Sequence, residues 1–195
     1  MTHPFLEALA RGLAERGVAS LRYQFPFMEQ NSRRPDPPSI AHTAVQAAVD
    51  QASRVWPSLP LFAGGRSFGG RMTSQAQALS PLPGVVGLAF LAFPLHPAGR
   101  VDDERGKHLF DVQVPMLFLQ GTRDALADLG LLESLTEQLG KRATLSLLQN
   151  ANHSFCVPAR FGRTNAEVRA AILERLVTWM RLNLGRLDHA DLLPK

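Results

Sequence analysis

The stretch PLFAGGRSFGGRMTSQAQAL, residues 60–79, carries the strongest structural signal in this chain. It opens with a short apolar run, residues 61–63, of the kind found in buried strands, and a G-x-S-x-G pattern follows at residues 65–69. Apolar side chains then recur at the spacing of a helix, at Phe68, Met72, Ala76 and Leu79. The stretch therefore predicts a strand, a sharp turn that holds Ser67, and a helix.

A serine in such a turn has its hydroxyl group clear of the backbone. Because glycine lacks a Cβ, it lets the strand and the helix approach each other, and the sequence has Gly65, Gly69 and Gly70 at this place. The helix N-terminus has free N–H groups, so the backbone N–H of Phe68 is a candidate donor to an oxyanion. Because a serine alone is a poor nucleophile, a base and an orienting acid must come from elsewhere in the chain.

Two other interpretations of the pattern are open. Glycine-rich turns between a strand and a helix also bind phosphates, but a P-loop needs Gly-Lys-Ser/Thr where this chain has residues 70–72, Gly-Arg-Met. No G-x-G-x-x-G is present, which argues against a dinucleotide. The five-residue pattern also occurs by chance, so other segments of the chain must show whether Ser67 is a nucleophile.

Composition limits the class of protein. The chain has 195 residues, is 45% hydrophobic and lacks an apolar run of about 20 residues, so we expect one globular domain over residues 1–185, no membrane span, and a frayed tail over residues 186–195. No signal peptide is apparent, which predicts a cytoplasmic protein. The net charge of +4 comes from scattered arginines, so no nucleic-acid partner is expected. The single cysteine, Cys156, excludes internal disulfides and CxxC sites.

Strand patterns and helix patterns alternate along the chain. Predicted strands cover residues 18–23, 61–63, 84–93, 114–119 and 143–148. Predicted helices cover residues 4–16, 39–56, 68–79, 129–139 and 164–185, with Thr2 and Thr164 as capping residues. Residues 84–93 are apolar almost throughout, as in strands buried on both faces. The pattern predicts an α/β fold with a mostly parallel sheet flanked by helices.

Three reactive side chains follow three of the predicted strands, in the order Ser67, Asp124, His153. In a parallel sheet these positions lie at one edge, and the order serine, acid, histidine is the one found with a strand-turn-helix nucleophile. His153 is the candidate base, and Asp124 would orient its ring. Asp128, one helical turn later, is an alternative acid that lies farther from the strand end.

The other histidines and Cys156 fit these roles less well. His96 and His108 precede the acid in the chain, and the rest fall on predicted helices or in the tail. The nearby acidic run, residues 102–104, has no metal-ligand spacing, so a solvated loop is the better interpretation and neither a metal nor a cofactor is expected. Cys156 is close to His153 but lacks the turn, and a small apolar filler is the better interpretation.

The chain resembles the α/β-hydrolase superfamily, in particular small bacterial serine hydrolases related to dienelactone hydrolases, a group that includes the hydrolase-like domain of some eukaryotic chromatin-complex subunits. The resemblance covers residues 4–181, in the segments LARGLAERGVASLRYQFPFM, FAGGRSFGGRM, FPLHPAGR with DDERGKHL, FLQGTRDAL and NANHSF. It implies a small-molecule substrate and a nucleophile at Ser67. Dienelactone hydrolases proper have cysteine at this position, so lactone specificity is not implied.

The sequence departs from that family at its start. In the family, a strand ending in a His-Gly-x-Gly type sequence precedes the first helix, lies between the strands equivalent to residues 18–23 and 60–64, and supplies one oxyanion N–H. This sequence begins at the helix, so the resemblance implies a minimal fold without the N-terminal oxyanion strand. Either the start has been set at an internal methionine, which we favour, or the sheet has closed up and activity is weak.

These observations predict a serine hydrolase that acts on a small ester, thioester or amide. The missing strand also supports an alternative, a catalytically weak or inactive interaction module that keeps the fold. An acyltransferase is a third possibility, since it differs from a hydrolase only in the acceptor.

Overall fold

The computed structural model describes the backbone of residues 3–190 and the side chains of residues 3–185. Its α-helices are α1 (Pro4–Ala14), α2 (Pro26–Glu29), α3 (Pro38–Val55), α4 (Phe68–Leu79), α5 (Leu129–Leu139) and α6 (Asn165–Ala190). Its strands are β1 (Leu61–Arg66), β2 (Val85–Leu91), β3 (Met116–Gly121) and β4 (Ala143–Leu148). Short 3-10 helices cover Glu104–Asp111, Gly140–Arg142 and Ala159–Phe161.

The four strands form one parallel sheet in the order β1-β2-β3-β4. The register pairs the ends of neighbouring strands, Arg66 with Leu91 and Gly121 with Leu148. The α/β fold with a parallel sheet is therefore confirmed. Because all four strands run the same way, the loops after them meet at one edge of the sheet.

Alternate residues of the strands face two different helix layers. In β2, Leu88 and Phe90 belong to the core cluster under α3, α4 and α5, whereas Ala89 and Leu91 belong to the cluster under α1 and α6. Both faces of β2 are almost completely buried, as its continuous apolar sequence predicts. The sheet is thus a rigid middle layer from which the loops at its carboxyl edge project.

The last helix begins as predicted and ends later than predicted. The N–H of Thr164 donates to Oε2 of Glu167 at 2.7 Å, and the N–H of Glu167 donates to Oγ1 of Thr164 at 3.2 Å, which is the predicted capping box. Helix α6 continues through Gly185 to Ala190, because a helical glycine costs about 1 kcal/mol without ending the helix. Residues 191–195 and the predicted cap Thr2 lie outside the described residues. Over the described part of the chain, no helix is both long and apolar enough to cross a membrane.

The predicted first strand was wrong. Residues 18–25 join no strand ladder, and β1 pairs with β2 alone. A cavity of about 560 Å³ separates this segment from β1, and residues from α3 and α6 close it from the two sides. A strand exists only when a neighbour accepts its backbone hydrogen bonds, and residues 3–190 place no such neighbour beside this segment. Within the described residues the sheet has therefore not closed up over this place.

Candidate active site

Ser67 lies in a strained turn between β1 and α4. Its φ of 51° and ψ of −117° are disfavoured for a residue with a side chain, and its N–H donates to the carbonyl oxygen of Leu91 at 2.9 Å. A Cβ on Gly65 would lie 2.9 Å from the carbonyl carbon of Gly69, and one on Gly70 would lie 2.8 Å from the carbonyl oxygen of Gly65. Gly65 and Gly70 therefore allow the close approach, as predicted. Gly69 does not, since a Cβ there would make an ordinary 3.7 Å contact with a phenyl ring.

The three side chains predicted from the strand ends form one hydrogen-bonded chain. Oγ of Ser67 lies 2.8 Å from Nε2 of His153, and Nδ1 of His153 lies 2.8 Å and 3.0 Å from the two carboxylate oxygens of Asp124. An imidazole that donates from Nδ1 to a carboxylate leaves Nε2 free to accept the serine proton. The geometry is that of a nucleophile, a base and an orienting acid.

Further donors hold the Asp124 carboxylate in place. Nε2 of Gln120 donates to Oδ2 at 2.6 Å, and the N–H of Leu126 donates to Oδ1 at 2.9 Å. The side-chain amide of Gln120 is fixed in turn, since its oxygen accepts from the N–H of Phe93 at 2.8 Å. Asp124 is 7% exposed, so these donors replace the water that an ionised carboxylate requires. The sequence offers no local signal for the role of Gln120.

The alternative acid, Asp128, has a different role. Its Oδ1 accepts from the N–H of Leu131 at 3.0 Å and so caps α5, while its own N–H donates to Nε2 of His96 at 2.8 Å. The other ring nitrogen of His96 lies 2.9 Å from the carbonyl oxygen of Pro97. Both ring nitrogens of His96 are therefore engaged by the backbone, and this residue fixes a loop.

The structure also contains a second serine–histidine contact, between Oγ of Ser74 and Nε2 of His108 at 2.7 Å. Ser74 is completely buried, and its hydroxyl group donates to the carbonyl oxygen of Arg71 at 2.9 Å. Burial, followed by the nearby Arg71 charge, lowers the pKa of His108 to about 4. This neutral pair joins α4 to the 3-10 helix Glu104–Asp111, and its serine is too buried for a reagent to reach. Within the described residues, no group of histidine, cysteine and acidic side chains is arranged to hold a metal ion.

Arg66, directly before the serine, ties the histidine loop to the end of β1. Its Nη2 donates to the carbonyl oxygen of His153 at 3.3 Å and to Oγ of Ser154 at 3.1 Å. Its Nη1 lies 2.9 Å from Nε2 of His3, which must accept because a guanidinium only donates. Burial and then the Arg66 charge lower the pKa of His3, which favours this accepting form. We infer that Arg66 positions His153; the sequence pattern leaves this position unspecified, so only the contacts reveal it.

Replacing Arg66 with glutamine is expected to slow modification of Ser67 by a fluorophosphonate about tenfold, because charged hydrogen bonds to the His153 loop are lost and small displacements of a reacting group are costly. The rate is measured by intact-protein mass spectrometry, with circular dichroism to confirm folding. Arg123→Gln is the matched control, since Arg123 follows β3 but contacts the exposed ring of Phe161. Equal rates in the Arg66 variant and the wild type would show that Arg66 does not position the base.

Aromatic side chains form one wall beside the serine. Phe25 and Phe27 pack against the ring of Phe68 with centroid distances of 5.1 Å and 5.8 Å. The N–H of Phe27 donates to Oδ2 of Asp36 at 2.9 Å, which folds the proline-rich loop back on itself. Phe25 is buried and Phe27 half-buried, so these rings anchor the loop and also supply apolar surface next to the serine.

Comparisons with known proteins agree with this fold. The sequence model of the alpha/beta hydrolase domain matches residues 1–181. Among solved structures, the chain is similar to an alpha-beta serine hydrolase homologue from Coxiella burnetii (20% identity, TM-score 0.70, covering 90% of this chain and 77% of that one). It is also similar to a serine hydrolase without a lid from Xanthomonas campestris (24% identity, TM-score 0.69, covering 92% of this chain and 75% of that one). A third similar structure is Est1E from Butyrivibrio proteoclasticus with ferulic acid bound (16% identity, TM-score 0.64, covering 90% of this chain and 84% of that one).

At these identities the solved structures establish the shared fold, while the sequence model spans nearly the whole described chain. The strand-turn-helix around Ser67 and the parallel sheet are the features that such a fold requires. On this evidence the chain belongs to the alpha/beta hydrolase domain family.

Proposed function

We propose that this protein is a carboxylesterase-like serine hydrolase that cleaves a small ester, thioester or amide through an acyl-enzyme on Ser67. The observation that carries the proposal is the continuous hydrogen-bonded chain from Oγ of Ser67 through His153 to the buried carboxylate of Asp124. Family membership supports hydrolase chemistry in general, and the three side chains support this particular mechanism.

In the proposed reaction, Oγ of Ser67 attacks the carbonyl carbon while Nε2 of His153 accepts its proton. The Asp124 carboxylate stabilises the imidazolium that forms. His153 then gives the proton to the leaving group, and water, activated by the same imidazole, releases the acid from the serine. The backbone N–H of Phe68, the first residue of α4, has no acceptor within its helix and is the proposed donor to the oxyanion.

The test is labelling with a fluorophosphonate, which phosphonylates an activated serine and releases fluoride. We expect one adduct in the wild type, mapped by peptide mass spectrometry to Ser67, and none in Ser67→Ala. Cys156→Ala is the control, because Cys156 is an exposed thiol three residues from His153, not the apolar filler expected from the sequence, and should not affect labelling. Absence of an adduct on folded wild-type protein would contradict the proposal.

The cavity beside β1 supports a second candidate, a hydrolase-fold module that has lost most of its activity. The family strand expected at this place carries a second oxyanion N–H, and loss of one such donor lowers turnover by about 10²–10³. This candidate predicts slow labelling of Ser67 and little hydrolysis of p-nitrophenyl acetate. Rapid turnover of that ester would exclude it.

A further inference from the structure

Arg71 lies in the first turn of α4, four residues after the serine. Its N–H donates to the carbonyl oxygen of Ser67 at 3.1 Å, the first such bond of the helix. Side chains on a helix tilt toward its N-terminus, and the guanidinium carbon of Arg71 lies 6.0 Å from the ring centroid of Phe68. The charge of Arg71 is therefore held at the serine end of α4.

A second positive charge, on Arg105, acts on the first. The contact between Ser74 and His108 fixes how α4 and the 3-10 helix lie against each other. Arg71 and Arg105 each lie three residues before this contact, Arg71 on α4 and Arg105 on the 3-10 helix. The pKa of Arg71 is lowered by burial and then by the Arg105 charge, which agrees with this placement.

This pair of charges lacks a counter-charge in the described part of the chain. Over residues 3–185, no carboxylate oxygen comes within 4.0 Å of either guanidinium; the acids nearby in sequence, Asp102 and Glu104, pair with Arg100 and Lys107 instead. The buried Nε of Arg71 has no hydrogen-bond partner. The neutral His108 adds no charge at pH 7, since its pKa is about 4.

Two guanidinium groups whose charges oppose each other, one of them with an unsatisfied buried N–H, are unfavourable unless an anion binds between them. We propose that Arg71 and Arg105 form an anion subsite that binds a carboxylate group on the substrate, so that the preferred substrate is a half-ester of a short dicarboxylic acid. Guanidinium groups bind carboxylates through paired, charge-assisted hydrogen bonds. The inference rests on the proposed hydrolase function, because it assigns the substrate class of the same site.

The substrate is expected to be short. The N–H of Arg71 bonds to the carbonyl oxygen of Ser67, and the Arg71 guanidinium lies beside the ring of Phe68, the residue next to the nucleophile. Succinate half-esters have two methylene groups between the ester carbonyl and the carboxylate, so they are the test substrates. Hydrolysis of monoethyl succinate would release ethanol, with its proton supplied through His153, and leave a succinyl group on Ser67 that water removes.

The experiment compares monoethyl succinate with ethyl levulinate, a neutral ester of similar shape, by ethanol release. We expect kcat/KM to favour the anionic ester in the wild type, and Arg71→Gln and Arg105→Gln each to lower that preference about 10- to 100-fold. Activity on ethyl levulinate should change little. Arg54→Gln, on the exposed side of α3, is the control for loss of a positive charge.

A second measurement does not depend on turnover. Succinate should raise the Tm of the wild type, because it binds the folded state, and should have no such effect on the Arg71→Gln, Arg105→Gln double variant. An Arg71-dependent rise in Tm without hydrolysis of either ester would support the subsite and contradict the hydrolase proposal. Hydrolysis of ethyl levulinate with an unchanged ester preference in both variants and no rise in Tm would overturn the subsite and leave the hydrolase proposal standing.

Discussion

Asp124→Asn is expected to lower kcat/KM for p-nitrophenyl acetate by about 10⁴-fold while leaving the fold intact. The amide has the shape of the carboxylate, but its NH₂ group favours the imidazole tautomer that carries the proton on Nε2. In that tautomer His153 cannot accept the proton of Ser67, from which it is separated by 2.8 Å. Ester hydrolysis and the rate of fluorophosphonate labelling both measure the effect.

The matched control is Asp128→Asn, which changes the rival acid of the sequence analysis. Asparagine is as good a helix cap as aspartate, so the contact between residue 128 and the N–H of Leu131 should survive and activity should stay within about twofold. A large loss in Asp128→Asn together with near-normal rates in Asp124→Asn would reverse the assignment. It would also remove the main support for the proposed mechanism.

Gly64→Ala is expected to be the most destabilising single-methyl change in the chain, costing on the order of 3 kcal/mol or more of unfolding free energy. Gly64 pairs with Ala89 across β1 and β2, and an added Cβ would overlap the backbone carbonyl oxygen of Ala89 and lie 2.9 Å from its carbonyl carbon. Backbone in the middle of a sheet cannot move aside as the end of a side chain can. A loss of this size lowers Tm by about 6–12 °C.

The measurement is urea unfolding followed by circular dichroism. Gly130→Ala is the control, since a Cβ there meets only a 3.4 Å contact with Oδ1 of Asp128, and alanine is the better helix former. The control should be neutral or slightly stabilising. Equal stability of the Gly64 variant and the wild type would show that β1 and β2 are farther apart than the structure has them.

Local patterns predicted most of the elements. Helix α5 and strand β4 have the predicted bounds, residues 129–139 and 143–148, and α3 differs by one residue at each end. These elements carry a strong apolar periodicity, and α5 also ends at a glycine with φ of 61°. The strand prediction at residues 18–23 was wrong for a non-local reason. A strand there needs a neighbouring strand, and the described chain does not contain one.

The residues of the candidate site also fall into two groups, those with a local sequence signal and those placed by long-range contacts. Strand ends are local features, so Ser67, Asp124 and His153 could be named from the sequence. The position of Gln120 against the acid and that of Arg66 against the histidine loop depend on contacts between distant segments. The influence of the Arg105 charge on Arg71 depends likewise on the packing of two segments.

Signals within a few positions of each residue were therefore enough to predict the order of β1 to β4 with α1 and α3 to α6, the serine turn and the three candidate catalytic residues. Three features came only from the folded chain: the acid that contacts the histidine, the arginines without a counter-charge within residues 3–185, and the cavity beside β1. Those features arise where segments far apart in the chain come together, and side-chain geometry and desolvation at such contacts have no local sequence signal.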